Sequence, residues 1–275
     1  MSILEAIVLG LVQGLTEFIP ISSTAHLEIV PMLLGWGDPG AAASAVIQFG
    51  TWIAALIYFR ADVIRLIVGF FRGLTTRRIF ADTDSREAWM VILGTIPIVV
   101  LGLLFKKHIE STFRGLWVVT TMVIVVAILM LLAESYARRR KLKDFEQMTV
   151  TDGVVVGLGQ CLALIPGSSR SGSTIMTALF RGIDRPTAAR FSFLLSLPAV
   201  GGAGMLELMH ERHHLAQLGW TPVIVSIVIA FISGYASIWF LLNYLRNHTT
   251  HVFIWYRFAL GALMIALLAS GYLHG

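Results

Sequence analysis

Two apolar stretches of this chain break off at a proline and a pair of serines, and that interruption limits the possible folds more than any other feature. The first reads VLGLVQGLTEFIPISST from Val8, and the second reads VVGLGQCLALIPGSSRS from Val155. Each begins like a helix entering a membrane and then presents hydroxyls where hydrocarbon is expected. Polar groups at that depth cost several kcal/mol unless protein or a wet cavity surrounds them. Each stretch therefore reads as a helix that enters the bilayer, turns and leaves by a second short run, 27–34 in the first case and 175–180 in the second.

The setting is a membrane. The chain is 56% hydrophobic and 13% charged, whereas about a quarter of a soluble domain is charged. Six further apolar runs, at 41–59, 88–105, 116–133, 188–208, 222–242 and 252–272, approach the length of a spanning helix. The expected fold is all-α and polytopic, with six transmembrane helices and two re-entrant broken helices. The single cysteine, Cys161, excludes an internal disulfide and a cysteine metal cage. The first residues carry no basic segment or small-residue cleavage pattern, so they read as mature protein.

The two interrupted stretches are copies of one another. Gly10, Leu11, Gln13 and Leu15 match Gly157, Leu158, Gln160 and Leu162; with one residue deleted, Ile19, Pro20, Ser22 and Ser23 match Ile165, Pro166, Ser168 and Ser169. An internal repeat follows, with the first half at about 1–135, a basic linker at about 136–152 and the second half at about 153–275. Three spans lie between the copies. Three is odd, so the second copy enters from the opposite face, which makes an inverted-topology repeat.

Basic residues set the orientation. Arg72, Arg77, Arg78, Arg86, Arg138, Arg139, Arg140, Lys141, Lys143, Arg181, Arg185 and Arg246 fall on one side; Lys106, Lys107, Arg114 and Arg212 fall on the other. The richer side is expected to be cytoplasmic. The net charge of +5 is dispersed in short loop clusters, which argues against nucleic acid as a partner.

The turns carry the chemistry. Proline ends a helix, and the serines after it suit the N-cap of the next. Two N-termini meeting from opposite faces favour an anion. Arg170, inside the second turn, has the planar guanidinium that matches phosphate; the competing role is a structural ion pair with Glu17. Ser22 and Thr24 on the first turn, and Ser169, Ser171 and Thr174 on the second, are candidate phosphate-pocket hydroxyls, with Gly167 allowing close backbone approach. Gln13 and Glu17 share one helix face. Ser23 and His26, three apart, also share a face, and a carboxylate beside the imidazole would complete a Glu–His–Ser relay. His108, His210, His213, His214, His248, His251 and His274 fall at span ends and read as interfacial.

At these residues the sequence resembles the bacterial undecaprenyl-diphosphate phosphatases, the bacitracin-resistance family. That family carries (E/Q)xxxE, then PxSSTxH, then PGxSRSxxT; here they stand as Gln13 to Glu17, Pro20 to His26 and Pro166 to Thr174. VIQFG at 46–50, FSFLLSLP at 191–198 and YRF at 256–258 are also similar. The resemblance implies an enzyme of the bacterial cytoplasmic (inner) membrane. It would remove the terminal phosphate of a polyprenyl diphosphate and return the lipid carrier to peptidoglycan and envelope glycan synthesis. It implies Ser23 or His26 as nucleophile with the other assisting, Glu17 supporting base or metal, Arg170 clamping the diphosphate, and a site facing outward. Family activity uses Mg²⁺ or Ca²⁺, carried by Glu17 and Gln13 or by the diphosphate itself. Gln13 in place of a glutamate removes one carboxylate from such a metal site. A homodimer is compatible with this. The rival function is a secondary transporter or lipid flippase, which would use the same arginine and helix ends without a nucleophile.

Overall fold

In the computed structural model, residues 1–36, 40–77, 79–80, 82–110, 113, 115–210 and 219–272 are described. Arg78, Arg114, Arg212, His213, His214 and His274 lie outside them, as do the side chains of Lys107 and His210. The described residues form helices and no strand, apart from one isolated bridge between Lys143 and Ile183.

The first half contains α1 (Ile3–Glu17), α2 (Ser23–Leu33), α3 (Gly40–Tyr58), α4 (Arg60–Thr75), α5 (Thr83–Leu104), the short α6 (Lys106–Glu110) and α7 (Leu116–Ala137). The second contains α8 (Val150–Gln160), a 3₁₀ turn (Cys161–Leu164), α9 (Arg170–Phe180), α10 (Arg185–His210), α11 (Trp220–Asn247) and α12 (His251–Ala269). Five of these, α5, α7, α10, α11 and α12, are long and apolar enough to cross a membrane. The sixth expected span is α3, whose apolar part, Ala43–Tyr58, is shorter. The chain is a multi-pass membrane protein. Its outer faces carry side chains such as Leu103, Leu104, Trp220, Ile232 and Trp239 exposed to the surroundings, as lipid contact requires.

The two halves pack as counterparts. α1 lies on α11 as α8 lies on α5, α3 meets α11 as α10 meets α5, and α3–α10 and α7–α12 join the halves. The close approach is set by equivalent glycines. A Cβ at Gly10 would lie 2.7 Å from the Ser226 carbonyl oxygen, and one at Gly157 would collide with the backbone of Gly94. Small residues at such crossings replace the hydrophobic drive that lipid does not supply.

The structure removes the deletion expected in the repeat. Ser22 and Ser169 are the N-caps of α2 and α9, with φ of 75° and 66°, and each hydroxyl accepts from the backbone N–H three residues on. One offset thus relates Gln13 to Gln160, Ser22 to Ser169 and Ser23 to Arg170 without a gap. The prolines, one residue out of step, had suggested the deletion.

Helix α4 was not expected from the sequence. Its charges Arg60, Asp62, Arg65 and Arg72 dilute the apolar pattern. It folds back on α5 because Gly69 and Gly73 admit the start of that helix, and Arg65 ties it down through Asp84 (2.6 Å) and Glu87. Arg72, bonded to the α5 N-cap Asp82, holds that carboxyl below its ordinary pKa. Several residues of the basic set are likewise bound into the structure. Lys143 and Arg181 share the fully buried Asp152, and Arg185 pairs with the fully buried Glu134.

Candidate active site

The two turns meet at Glu17, the last residue of α1. Its Oε2 accepts from Ser23 Oγ and from Gln13 Nε2, each at 2.8 Å. Its Oε1 accepts from Arg170 Nη2 at 2.6 Å and from Gln48 Nε2 at 3.4 Å. Ser23 and Arg170 are the first residues of the equivalent helices α2 and α9. The pseudo-symmetry therefore delivers a hydroxyl and a guanidinium to opposite oxygens of one carboxylate.

Arg170 is only partly used by this pair. Its Nη1 is buried and has no hydrogen-bond partner among the described residues. A buried N–H left unpaired costs about 1–3 kcal/mol, so this nitrogen is placed to receive an anion. A small cavity of about 10 Å³, room for about one water, lies beside Glu17 and Arg170.

The expected Glu–His–Ser relay is not formed. Ser23 bonds directly to Glu17. His26 is held elsewhere, with Nδ1 at 2.7 Å from the Ser22 carbonyl and Nε2 at 2.7 Å from Tyr256 Oη. A carbonyl only accepts, so Nδ1 carries the proton; in the neutral ring Nε2 then accepts from Tyr256. The three-residue spacing did place Ser23 and His26 on one turn, but the helix begins at Ser23, which leaves its hydroxyl facing back toward α1.

The remaining candidates divide by their neighbours. Ser169 caps α9, and its Oγ lies 3.2 Å from Ser171 Oγ. Ser171 reaches across to the Ile19 carbonyl at 3.3 Å and stitches the turns together. Ser22 caps α2 and is 1% exposed, while Thr24 is exposed on the first turn of α2. Thr174 sits behind the helix end, 2.6 Å from Ser192 Oγ. Gly167 has φ of 91°, and a Cβ there would lie 2.8 Å from Val119 Cα, so it serves close packing against α7.

Arg257 on α12 was quoted in the sequence only as part of a motif. It is fully buried and donates to Pro20 and Gly167, the equivalent carbonyls of the two turns, and also to Met122, Val123 and Ser168. An arginine inside an otherwise apolar span was the available signal, since such residues face the bundle interior and carry function. Gln48 and Tyr256, also inside quoted motifs, join the site through Glu17 and His26.

Among the described residues, the side chains do not make a divalent-cation cage. Among the described residues no three His, Cys, Asp or Glu side chains cluster. Glu17 is ion-paired, and Gln13 presents one unpartnered amide oxygen. Mg²⁺ and Ca²⁺ take about six or more oxygen ligands, which this set does not supply.

The bacitracin resistance protein BacA family profile matches residues 6–263. A protein of Chloroherpeton thalassium named undecaprenyl-diphosphatase is 50% identical over 281 residues, covering 100% of this chain and 99% of its own length. Proteins of the same name from Chlorobium phaeobacteroides and Myxococcus xanthus are 51% and 52% identical; the alignments cover 100% and 98% of this chain, and 100% and 91% of theirs. The chain belongs to the BacA family.

Proposed function

We propose that this BacA-family protein is a membrane phosphatase that converts a polyprenyl diphosphate, undecaprenyl diphosphate foremost, to the monophosphate and inorganic phosphate. The observation that carries the reading is the convergence of Ser23 and Arg170 on Glu17, with one guanidinium nitrogen left for an anion. The names of relatives at about half identity over the full length support the same substrate.

Ser23 Oγ attacks the terminal phosphorus, and its proton passes to Glu17 Oε2, 2.8 Å away. The anhydride P–O bond breaks and the polyprenyl monophosphate departs with the electron pair. Arg170 stabilises the charge gathering on the equatorial and leaving oxygens; positioning and electrostatics are the main contributions to phosphoryl transfer. Water then attacks the phosphorus of the phosphoserine, the Oγ–P bond breaks, Glu17 returns the proton it took to Ser23 Oγ, and the water's proton is released to solvent. His26, held between Ser22 and Tyr256, assists as a positioning group rather than as nucleophile. A divalent ion carried by the diphosphate would neutralise part of its charge.

We place the protein in the bacterial cytoplasmic membrane with the basic loops inside. The first turn then enters from the outer side, and the site opens there. The monophosphate produced serves envelope glycan synthesis.

The paired broken helices also suit a transporter. A carrier needs no hydroxyl on a carboxylate, so one experiment separates the two. Phosphate release from undecaprenyl diphosphate by purified protein is compared for wild type, Ser23→Ala and His26→Ala. Release by wild type, its loss in Ser23→Ala, and a trapped phosphoserine support the phosphatase. Anion binding without release would favour the carrier.

A further inference from the structure

Helix α7 turns one face to its surroundings along its whole length. Trp117, Val125, Ile128, Leu132, Ser135 and Arg139 are all exposed and recur at helical spacing, so they form a single stripe. At 1.5 Å per residue the stripe runs about 33 Å, close to the hydrocarbon thickness of a bilayer. An interfacial aromatic, Trp117, begins it and a cation, Arg139, ends it. The opposite face is committed to the fold, where Val119 packs on Gly167 and the Met122 and Val123 carbonyls accept from Arg257.

Four consecutive cations, Arg138, Arg139, Arg140 and Lys141, close the stripe, and all are exposed. None forms an ion pair among the described residues, while the carboxylates around them are taken. Asp152 holds Lys143 and Arg181, Glu134 holds Arg185, and Asp184 accepts from the Thr187 N–H. Only the exposed Asp144 and Glu146 follow in the chain, two charges against four. The basic segment is also held in place. The Arg140 guanidinium lies 4.3 Å over the Tyr136 ring, and that ring leans on Phe180 at the end of α9. Lys143 exchanges backbone hydrogen bonds with Gly182 and Asp184 at 2.7 and 2.9 Å. The cations are therefore presented at a fixed place beside the ends of α7 and α9.

Uncompensated positive charge thus stands where a lipid-facing ridge leaves the hydrocarbon. A zwitterionic headgroup brings no net charge to it, and a free anion leaves the ridge unused. We propose that the exposed face of α7, from Ile128 to Lys141, binds an anionic phospholipid, with an acyl chain along Ile128 and Leu132 and the phosphate on Arg139 and its basic neighbours. A lipid seated there steadies the helix that backs the second re-entrant turn. The inference does not depend on which reaction the protein catalyses.

The test measures binding of phosphatidylglycerol to the full chain in neutral detergent, and its effect on the melting temperature, with phosphatidylcholine and glycerol phosphate as controls. Phosphatidylglycerol is expected to raise the melting temperature of wild type, and the two controls are not. Each cation near an anionic headgroup contributes about fivefold in affinity, so Arg139→Gln should bind about fivefold more weakly. The quadruple variant Arg138→Gln, Arg139→Gln, Arg140→Gln, Lys141→Gln should lose the thermal shift. The double variant Arg60→Gln, Arg246→Gln removes exposed cations elsewhere and should keep it. An equal response to phosphatidylcholine, or unchanged binding in Arg139→Gln and the quadruple variant, would overturn the proposal. So would an equal loss in the Arg60, Arg246 variant, which would mean diffuse surface charge, or an equal shift with glycerol phosphate, which would mean an anion site without lipid.

Discussion

Arg257 Nη2 donates to the carbonyl oxygen of Gly167 at 3.1 Å, joining the last span to the second re-entrant turn. The same guanidinium reaches Pro20 of the first turn. One side chain thus sets the distance between the turns whose first helical residues, Ser23 and Arg170, share Glu17. Backbone broken inside a membrane must have its carbonyls satisfied by protein, and here the planar fork of an arginine does it.

Arg257→Met should therefore weaken both stability and turnover. It leaves several buried carbonyls unpaired, each costing about 1–3 kcal/mol. The expected result is a lower melting temperature in detergent and kcat reduced about a hundredfold or more. Arg257→Lys, with three donors on a flexible stem, should recover part of the stability and little of the rate. Wild-type turnover in Arg257→Met would show that the turns hold their spacing without it.

Glu17 is expected to matter more than Gln13, although the two lie on one face. Glu17→Gln removes the proton acceptor for Ser23 and the partner of Arg170 together, so phosphate release should fall about a thousandfold. Gln13→Ala removes one donor to the carboxylate, and a loss of about tenfold or less is expected. Steady-state kinetics on the two variants decides; equal effects would deny Glu17 a role in proton transfer.

Tyr256→Phe tests the position of His26. The phenol is the only hydrogen-bond partner of Nε2 among the described residues. Without it, the ring keeps its bond to Ser22 and loses its second anchor. The expected kcat is down about three- to tenfold, a smaller loss than that of His26→Ala. If His26 were itself the nucleophile, freeing Nε2 would raise the rate of phosphorylation, and a burst assay would detect it.

Much of this architecture is visible in the amino-acid string, and the limits are physical. The spans appear because lipid contact demands apolar runs, and the turns because Pro20 and Pro166 stop helices among serines. Helix α4 does not appear, because its apolar stripe is mixed with charges: Arg65 and Arg72 bind the start of α5, and Asp62 accepts from Arg190 of α10. Spacing could put Ser23 and His26 on one turn of helix, but not show that Ser23 points at Glu17. That depends on where α2 begins, and Ser22 at positive φ fixes it. What Arg257 binds escaped for a related reason: its partners are backbone carbonyls of the two turns and of α7, and backbone leaves no mark in a sequence.

Glu134 supplies the test of how the halves are joined. It is fully buried in α7, accepts from Arg185 at the start of α10, and accepts from the N–H and hydroxyl of Thr250 before α12. Glu134→Ala leaves the largely buried Arg185 without its carboxylate, an imbalance that costs about 3–5 kcal/mol. The melting temperature should drop sharply. The double variant Glu134→Ala with Arg185→Met removes both charges and should regain much of the loss, because a buried pair replaced by apolar groups is close to neutral. Phosphate release from the double variant should approach wild type, since neither residue touches the turns. Thermal melts on the two variants read the coupling directly. If the double variant is no more stable than the single one, Thr250 rather than the ion pair holds α7 to α12.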